Sequence, residues 1–349
     1  MSLRIIEISA PESAQDKIRD LGERYNAIDC WQAPRTSWLY KNKKGDPRTT
    51  SRLLVDVKDQ QELLDALQRA ISRNDDWRIT LIPVEATLPK PEQPEKIDSP
   101  KKLKLRDILK GSITREELHD EMEKSANVSI DFMILVVLSS LVAGIGLIQS
   151  DVAVIIGAMV IAPLLGPNLA LAFGAALGDK ALIIKAAKTN CVGLGLTLMI
   201  TIISSLFISN EAVLNSMEMM NRTNVGFASI ILALASGAAG VLSLTMGASS
   251  ALVGVMVAVA LMPPAVTLGL TLGKGQFDLA YGTFLLLATN IVCVNLSAQA
   301  IFRLKGIRPR TWFEEKKAKQ ASKINTILWF VLLVILAALI WLKTEYSGS

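Results

Sequence analysis

What the chain lacks narrows its function before any motif is read. It has one histidine and three cysteines in 349 residues, and aromatic residues make up only 5% of it. The cysteines, Cys30, Cys191 and Cys293, have no metal-ligand spacing, and two lie in apolar segments, so all three are expected to be small buried side chains. His119 stands in "TREELHDEMEK", a charged helical stretch, where a surface position is expected and a base or ligand is not. No Walker loop, GxSxG elbow, HExxH helix or CxxC pair occurs. The expectation is a protein that is not an enzyme and holds neither cofactor nor metal.

Charge is missing from long stretches. The chain is 51% hydrophobic and 20% charged, and its charge is confined to residues 1–124, a stretch near 303–323 and short turns. This divides it into a soluble part and a membrane part. Most of the Lys and Arg behind the net charge of +5 lie beside apolar segments, so topology explains the excess and no nucleic-acid partner is expected. The opening "MSLRIIEISAPESAQDK" lacks a basic start followed by an apolar core, and the first domain is expected to stay in the cytosol.

Residues 1–88 read as that domain. "LRIIEIS" alternates like a strand, and the next stretch carries Ile18, Leu21 and Tyr25 at helical spacing. Two further strands, a helix with Leu63, Leu64, Leu67 and Ile71 turned inward, and a last strand, "DWRITLIPVEA", complete a βαββαβ order, the ferredoxin-like pattern. Its loop "TSWLYKNKKGDPRTTSR" gathers Lys41, Lys43, Lys44, Arg48 and Arg52 around a Gly-Asp-Pro turn, beside Trp38 and Tyr40. Cations with aromatics suit a small anionic or nucleotide-like ligand, an adenine nucleotide first. A basic hairpin resting on anionic lipid heads is the alternative. Residues 89–128 follow as a Pro-rich linker and an amphipathic connector; the stretch "PVEATLPKPEQPEKIDSPKK" has five prolines and no apolar periodicity.

Seven apolar runs are long enough to span a bilayer: 130–148, 152–177, 189–208, 225–243, 250–272, 279–302 and 324–342. Basic residues fall on one side, three in 178–188 (Lys180, Lys185, Lys188) and eight in the loop 303–323, against Arg222 alone in 209–224 and Lys274 alone in 273–276. The amino terminus is therefore expected in the cytoplasm and the carboxyl terminus outside, with residues 324–349 forming the seventh helix and a short tail.

A shift of 97 lays "VIIGAMVIAPLLGPNLAL" over "LVGVMVAVALMPPAVTL", matching Gly157 with Gly254, Met159 with Met256 and Pro167 with Pro264. A three-residue insertion then brings Thr189-Asn190 onto Thr289-Asn290. The repeat covers three crossings, so residues 129–302 are expected to form two inverted copies, 129–208 and 225–302. The run 152–177 would be about 39 Å long as one helix against a hydrocarbon core of about 30 Å, so Pro163, Gly166 and Pro167 are expected to break or kink it. Pro263 and Pro264 would do the same in the second copy, and Asn168, Asn190, Asn290 and Asn295 would line the resulting cavity. The plain alternative is that kinks and amides only hold helices together. No acidic or basic residue lies deep in a span, which argues against a carboxylate relay or voltage sensor and suits a neutral molecule or small ion.

The stretches "LIPVEATLPKPE", "TREELHDEM" and above all "DVAVIIGAMVIAPLLGPNLALAFGAALGD" resemble a bacterial and archaeal family of uncharacterised hydrophobic proteins, domain of unknown function 389. The resemblance implies an integral inner-membrane protein with a cytosolic ferredoxin-like or ACT-like domain, and brings no activity with it. The reading is a homo-oligomer in the lipid bilayer, a transporter or channel for a small solute or ion, biased by a ligand on the cytosolic domain. A membrane-embedded sensor or scaffold that moves nothing is the alternative.

Overall fold

The computed structural model describes residues 3–33, 48–70, 77–84, 87, 113–246, 261–307 and 312–347. The chain forms two compact units, Met1–Arg115 and Glu116–Ser349.

In the first unit, β1 (Leu3–Pro11), α1 (Gln15–Arg24), β2 (Asp29–Ala33), β3 (Arg48–Asp56), α2 (Val57–Ala70) and β4 (Arg78–Val84) follow in order. The sheet runs β2-β3-β1-β4 and every pair is antiparallel. Alternation along β1 and β3 turns Ile6, Ile8, Leu53 and Val55 to one face, where they bury Ile18 of α1 and Leu63 and Leu67 of α2. Both helices thus cover the same side of the sheet. Cys30 lies on edge strand β2 and is exposed, as is Cys191, so of the three cysteines expected inside only Cys293 is buried.

The second unit is helical: α3 (Arg115–Ser125), α4 (Ile130–Gln149), α5 (Val152–Ile161), α6 (Leu165–Leu177), α7 (Lys180–Ser205), α8 (Asn210–Asn215), α9 (Met217–Thr223), α10 (Phe227–Thr245), α11 (Met262–Gly273), α12 (Phe277–Leu304) and α13 (Trp312–Ser347). Among the described residues, α4, α7, α10, α12 and Asn325–Lys343 of α13 are long and apolar enough to cross a membrane. The pair α5 and α6, bent by 54°, makes a sixth if it is one span. These account for five or six of the seven expected runs; the first half of the run 250–272 lies outside the described residues, and its second half is α11.

Several expected connections are helical. Residues 178–188 were expected as an inner loop, yet α7 begins at Lys180, because the Asp179 side chain caps the N–H groups of Ala181 and Leu182 at 3.0 and 3.1 Å. The basic loop 303–323 turns helical at Trp312, where Glu, Lys, Ala and Gln are strong helix formers. The connection 209–224, expected outside, holds α8 and α9, capped by Ser209 and Ser216. Charge marks the limit of the hydrocarbon; it does not end a helix.

Three helix pairs are joined by one kind of tight turn. Asp151 N–H donates to Gly146 O at 2.9 Å, Asp179 N–H to Gly174 O at 2.9 Å and Gln276 N–H to Thr271 O at 3.0 Å. In each the residue before the donor, Ser150, Gly178 or Gly275, has φ between 54° and 71°. A Cβ at Gly146 would lie 3.0 Å from Ile155 N, so glycine lets α5 fold back against α4 there. The second and third turns stand 97 residues apart, and so do the first residues of α6 and α11, Leu165 and Met262.

The break between α5 and α6 has a local cause. Pro163 offers no N–H, its ring would collide with the carbonyl of Met159 in a continued helix, and it drives Ala162 to an extended ψ of 117°. Pro167, in the first turn of α6, stands where an N–H would have no helical partner.

Candidate functional site

Two short helices lie between two long ones. Both α6 and α11 pack against α7 and α12. Along α7, Gly174 faces Ile183 and Leu164 faces Gly193, so α6 runs antiparallel to its first half. Gly269 faces Thr201 and Gly273 faces Ser205, so α11 runs parallel to its second half with a constant offset of 68. That offset puts Met262 beside residue 194. Both half-helices therefore begin at the middle of α7 and point their amino termini at one level. Neither beginning has a side-chain cap. The first-turn residues Leu164, Leu165, Leu261 and Met262 are all buried.

Amides gather at this level. Asn168, in the first turn of α6, and Asn295, in α12, are 1% and 0% exposed. Asn295 Nδ2 donates to Ile291 O at 2.9 Å and to Asn168 Oδ1. A carbonyl only accepts, so the Ile291 bond fixes the Asn295 amide, and through it the Asn168 oxygen. Asn168 Nδ2 and Asn295 Oδ1 are then buried with no partner. Asn190, two turns after Ile183 and a turn before Gly193, lies on the α7 face toward α6, and its Nδ2 is also buried and unpartnered.

Of the other expected membrane residues, Pro163 stands in the break, and Gly166 packs so closely on Ser125 of α3 that a Cβ would lie 2.9 Å from that side chain. Pro263 and Pro264 were expected to interrupt a helix; in the described residues they open α11. Asn290 is not brought to the site: it stands one turn from Val294, on the face of α12 that meets Gly237 of α10. Thr267 and Gln299, missed by the sequence reading, and Thr289, noted there only for the repeat, are each buried with an unpartnered side-chain polar atom. Polar residues isolated in apolar runs were the available signal.

The soluble unit leaves its expected site mostly out of view. Trp38, Tyr40, Lys41, Lys43 and Lys44 lie outside the described residues, and Arg48 opens β3. Arg52 bonds Glu7 at 2.7 Å across the sheet. A cleft of about 330 Å³ beside the loop's first strand is lined by Gln15, Arg19, Trp31, Gln32 and Ser51 among others.

The connector α3 is anchored to the start of α7. Glu123 pairs with Lys185 at 3.2 Å, Ala126 O accepts from Thr189 Oγ1 at 2.5 Å, and His119 Nε2 lies 3.6 Å from Asp179 Oδ2. His119 also meets Phe173 edge-on and keeps 38% of its side chain exposed, a surface residue with one face packed. On α3, burial pushes the Glu121 carboxyl above its usual range, with Lys124 opposing and Glu117 adding to the shift. A raised value means that the fold prefers the protonated form. The stability it adds is complete below the unfolded value and is lost as pH rises through the raised folded one. Glu121→Gln should therefore raise the thermal midpoint at pH ~7 and leave it unchanged below pH ~4; an equal shift at both would show that the carboxyl's charge is not the cause.

Residues 159–296, from the break to the asparagine pair, match the family model described as "Domain of unknown function (DUF389)". The chain is 31% identical over 340 residues to Uncharacterized protein MJ0678 of Methanocaldococcus jannaschii, covering 97% of this chain and 99% of that protein. No solved structure matches. Near end-to-end similarity at that identity, with the family's own segment spanning the two half-helices, makes this chain a member of the DUF389 family.

Proposed function

We propose that the protein is an oligomeric inner-membrane transporter or channel for a small solute or ion. The observation that supports this reading best is that two uncapped half-helices begin at one height between α7 and α12, beside buried unpartnered amides. Backbone interrupted in this way is stable inside a bilayer where it is enclosed by protein or lines a solute path. The matching 97-residue offsets of the half-helices and their closing turns support two inverted repeats, with seven crossings, the amino terminus in the cytoplasm and the carboxyl terminus outside.

The first unit is, in this reading, a ferredoxin-like module on the cytoplasmic side, supported by its strand order and by both helices lying on one face. It binds a small anionic or nucleotide ligand and biases the membrane part through α3. The test is solute flux into liposomes holding the full-length protein, measured for neutral solutes, cations and anions with and without nucleotides. Flux of one class, lost in Asn190→Ala at unchanged yield, is the expected result. Absence of flux for every class, with nucleotide or without, would overturn transport and leave a sensor or scaffold.

A further inference from the structure

We infer that the level where α6 and α11 begin is a binding site for a small monovalent anion, with Asn168 as its principal side-chain ligand. The inference deepens the transport reading and rests on it for passage of the ion, while binding is measured separately.

Three observations lead there. First, α6 and α11 run in opposite directions from the same height on α7, so the positive ends of two helix dipoles lie at one level. Neither end is neutralised by a capping side chain. Second, the Asn168 amide is 1% exposed and oriented by its bond to Asn295, which leaves Nδ2 as an unused donor. Helical side chains lean toward the amino terminus, so that donor lies over the first turn of α6. Third, Asn190 offers a second unused N–H from the α7 face toward α6. The one unpartnered acceptor of the asparagine pair, Asn295 Oδ1, accommodates a water or the hydroxyl of an oxyanion.

The carboxylates nearest in sequence are occupied elsewhere. Asp151 caps α5, and Asp179 caps α7. Donors without a compensating cationic side chain favour one negative charge over several. Prolines 167, 263 and 264 remove N–H groups from the two first turns, which keeps the site weak enough for an ion to leave.

The experiment is thermal unfolding of the full-length protein in detergent at constant ionic strength, exchanging sodium gluconate for chloride, nitrate, formate or hydrogencarbonate. The expected result is a saturable rise in midpoint with at least one small anion. In Asn168→Ala, and separately in Asn190→Ala in case the first variant fails to fold, the half-saturating concentration should rise about tenfold or more. No anion-specific rise, or an equal rise in wild type and the folded variants, overturns the site. Liposome flux separates the two readings. Flux of neutral solutes or cations without anions overturns the anion site and keeps transport. A lost response in the variants with no flux of any class keeps the site and overturns transport.

Discussion

Gly237→Val is expected to abolish recovery of folded, monodisperse protein from detergent. A Cβ at Gly237 would stand 2.8 Å from Val294 Cα and 2.9 Å from Val294 O, and would also strike Ser297 Oγ. Two of these obstacles are backbone and cannot turn aside. Relief would require α10 and α12 to move apart along one of the most extensive helix contacts in the chain. Inside a bilayer, helices are held largely by such close approach, since lipid tails and apolar side chains offer each other no hydrophobic gain. Gly237→Ala alone should cost about 1–3 kcal/mol as an overpacking change. Gly195→Ala is the control, because nothing lies within 4 Å of its added methyl, and it should be neutral or stabilising by up to ~1 kcal/mol. Thermal midpoints of the two alanine variants test this directly; equal midpoints would remove Gly237 from the interface.

The second large effect separates glue from site at the asparagine pair. Asn295→Leu strips Asn168 Oδ1 of its donor and leaves the whole amide buried without a partner, at a cost of about 1–3 kcal/mol. Asn168→Leu with Asn295→Leu replaces both partners with apolar groups and should recover much of that stability. Flux should stay at background in the double variant. Recovery of both stability and flux would mean that the two amides only hold α6 to α12.

Parts of the fold were legible for local reasons. The break after Ile161 follows from Pro163 and needs no neighbour; the tight turns at residues 174–179 and 271–276, which use glycine at positive φ, were not read from the sequence. Strand alternation and helix spacing placed Ile18, Leu63 and Leu67 in the soluble core. Helix ends were less legible. Hydropathy ends where the hydrocarbon ends, while α7 and α13 continue through lysine-rich turns because Asp179 caps one and strong helix formers extend the other. The roles of the asparagines were not legible. Asn290 repeats Asn190 in sequence, but its face of α12 is the one occupied by α10.

By itself, the sequence determined the division into a soluble and a membrane part, the position of the interrupted helix and the residue types at the break. Those depend on transfer of apolar runs out of water and on backbone sterics, both local. Only the tertiary structure decided that Asn168 meets Asn295, 127 residues away, and that α6 and α11 begin at one height on α7. The reason is physical: where lipid and protein interior are equally apolar, a membrane helix has no hydrophobic face that says which neighbour it meets, and packing alone makes that choice.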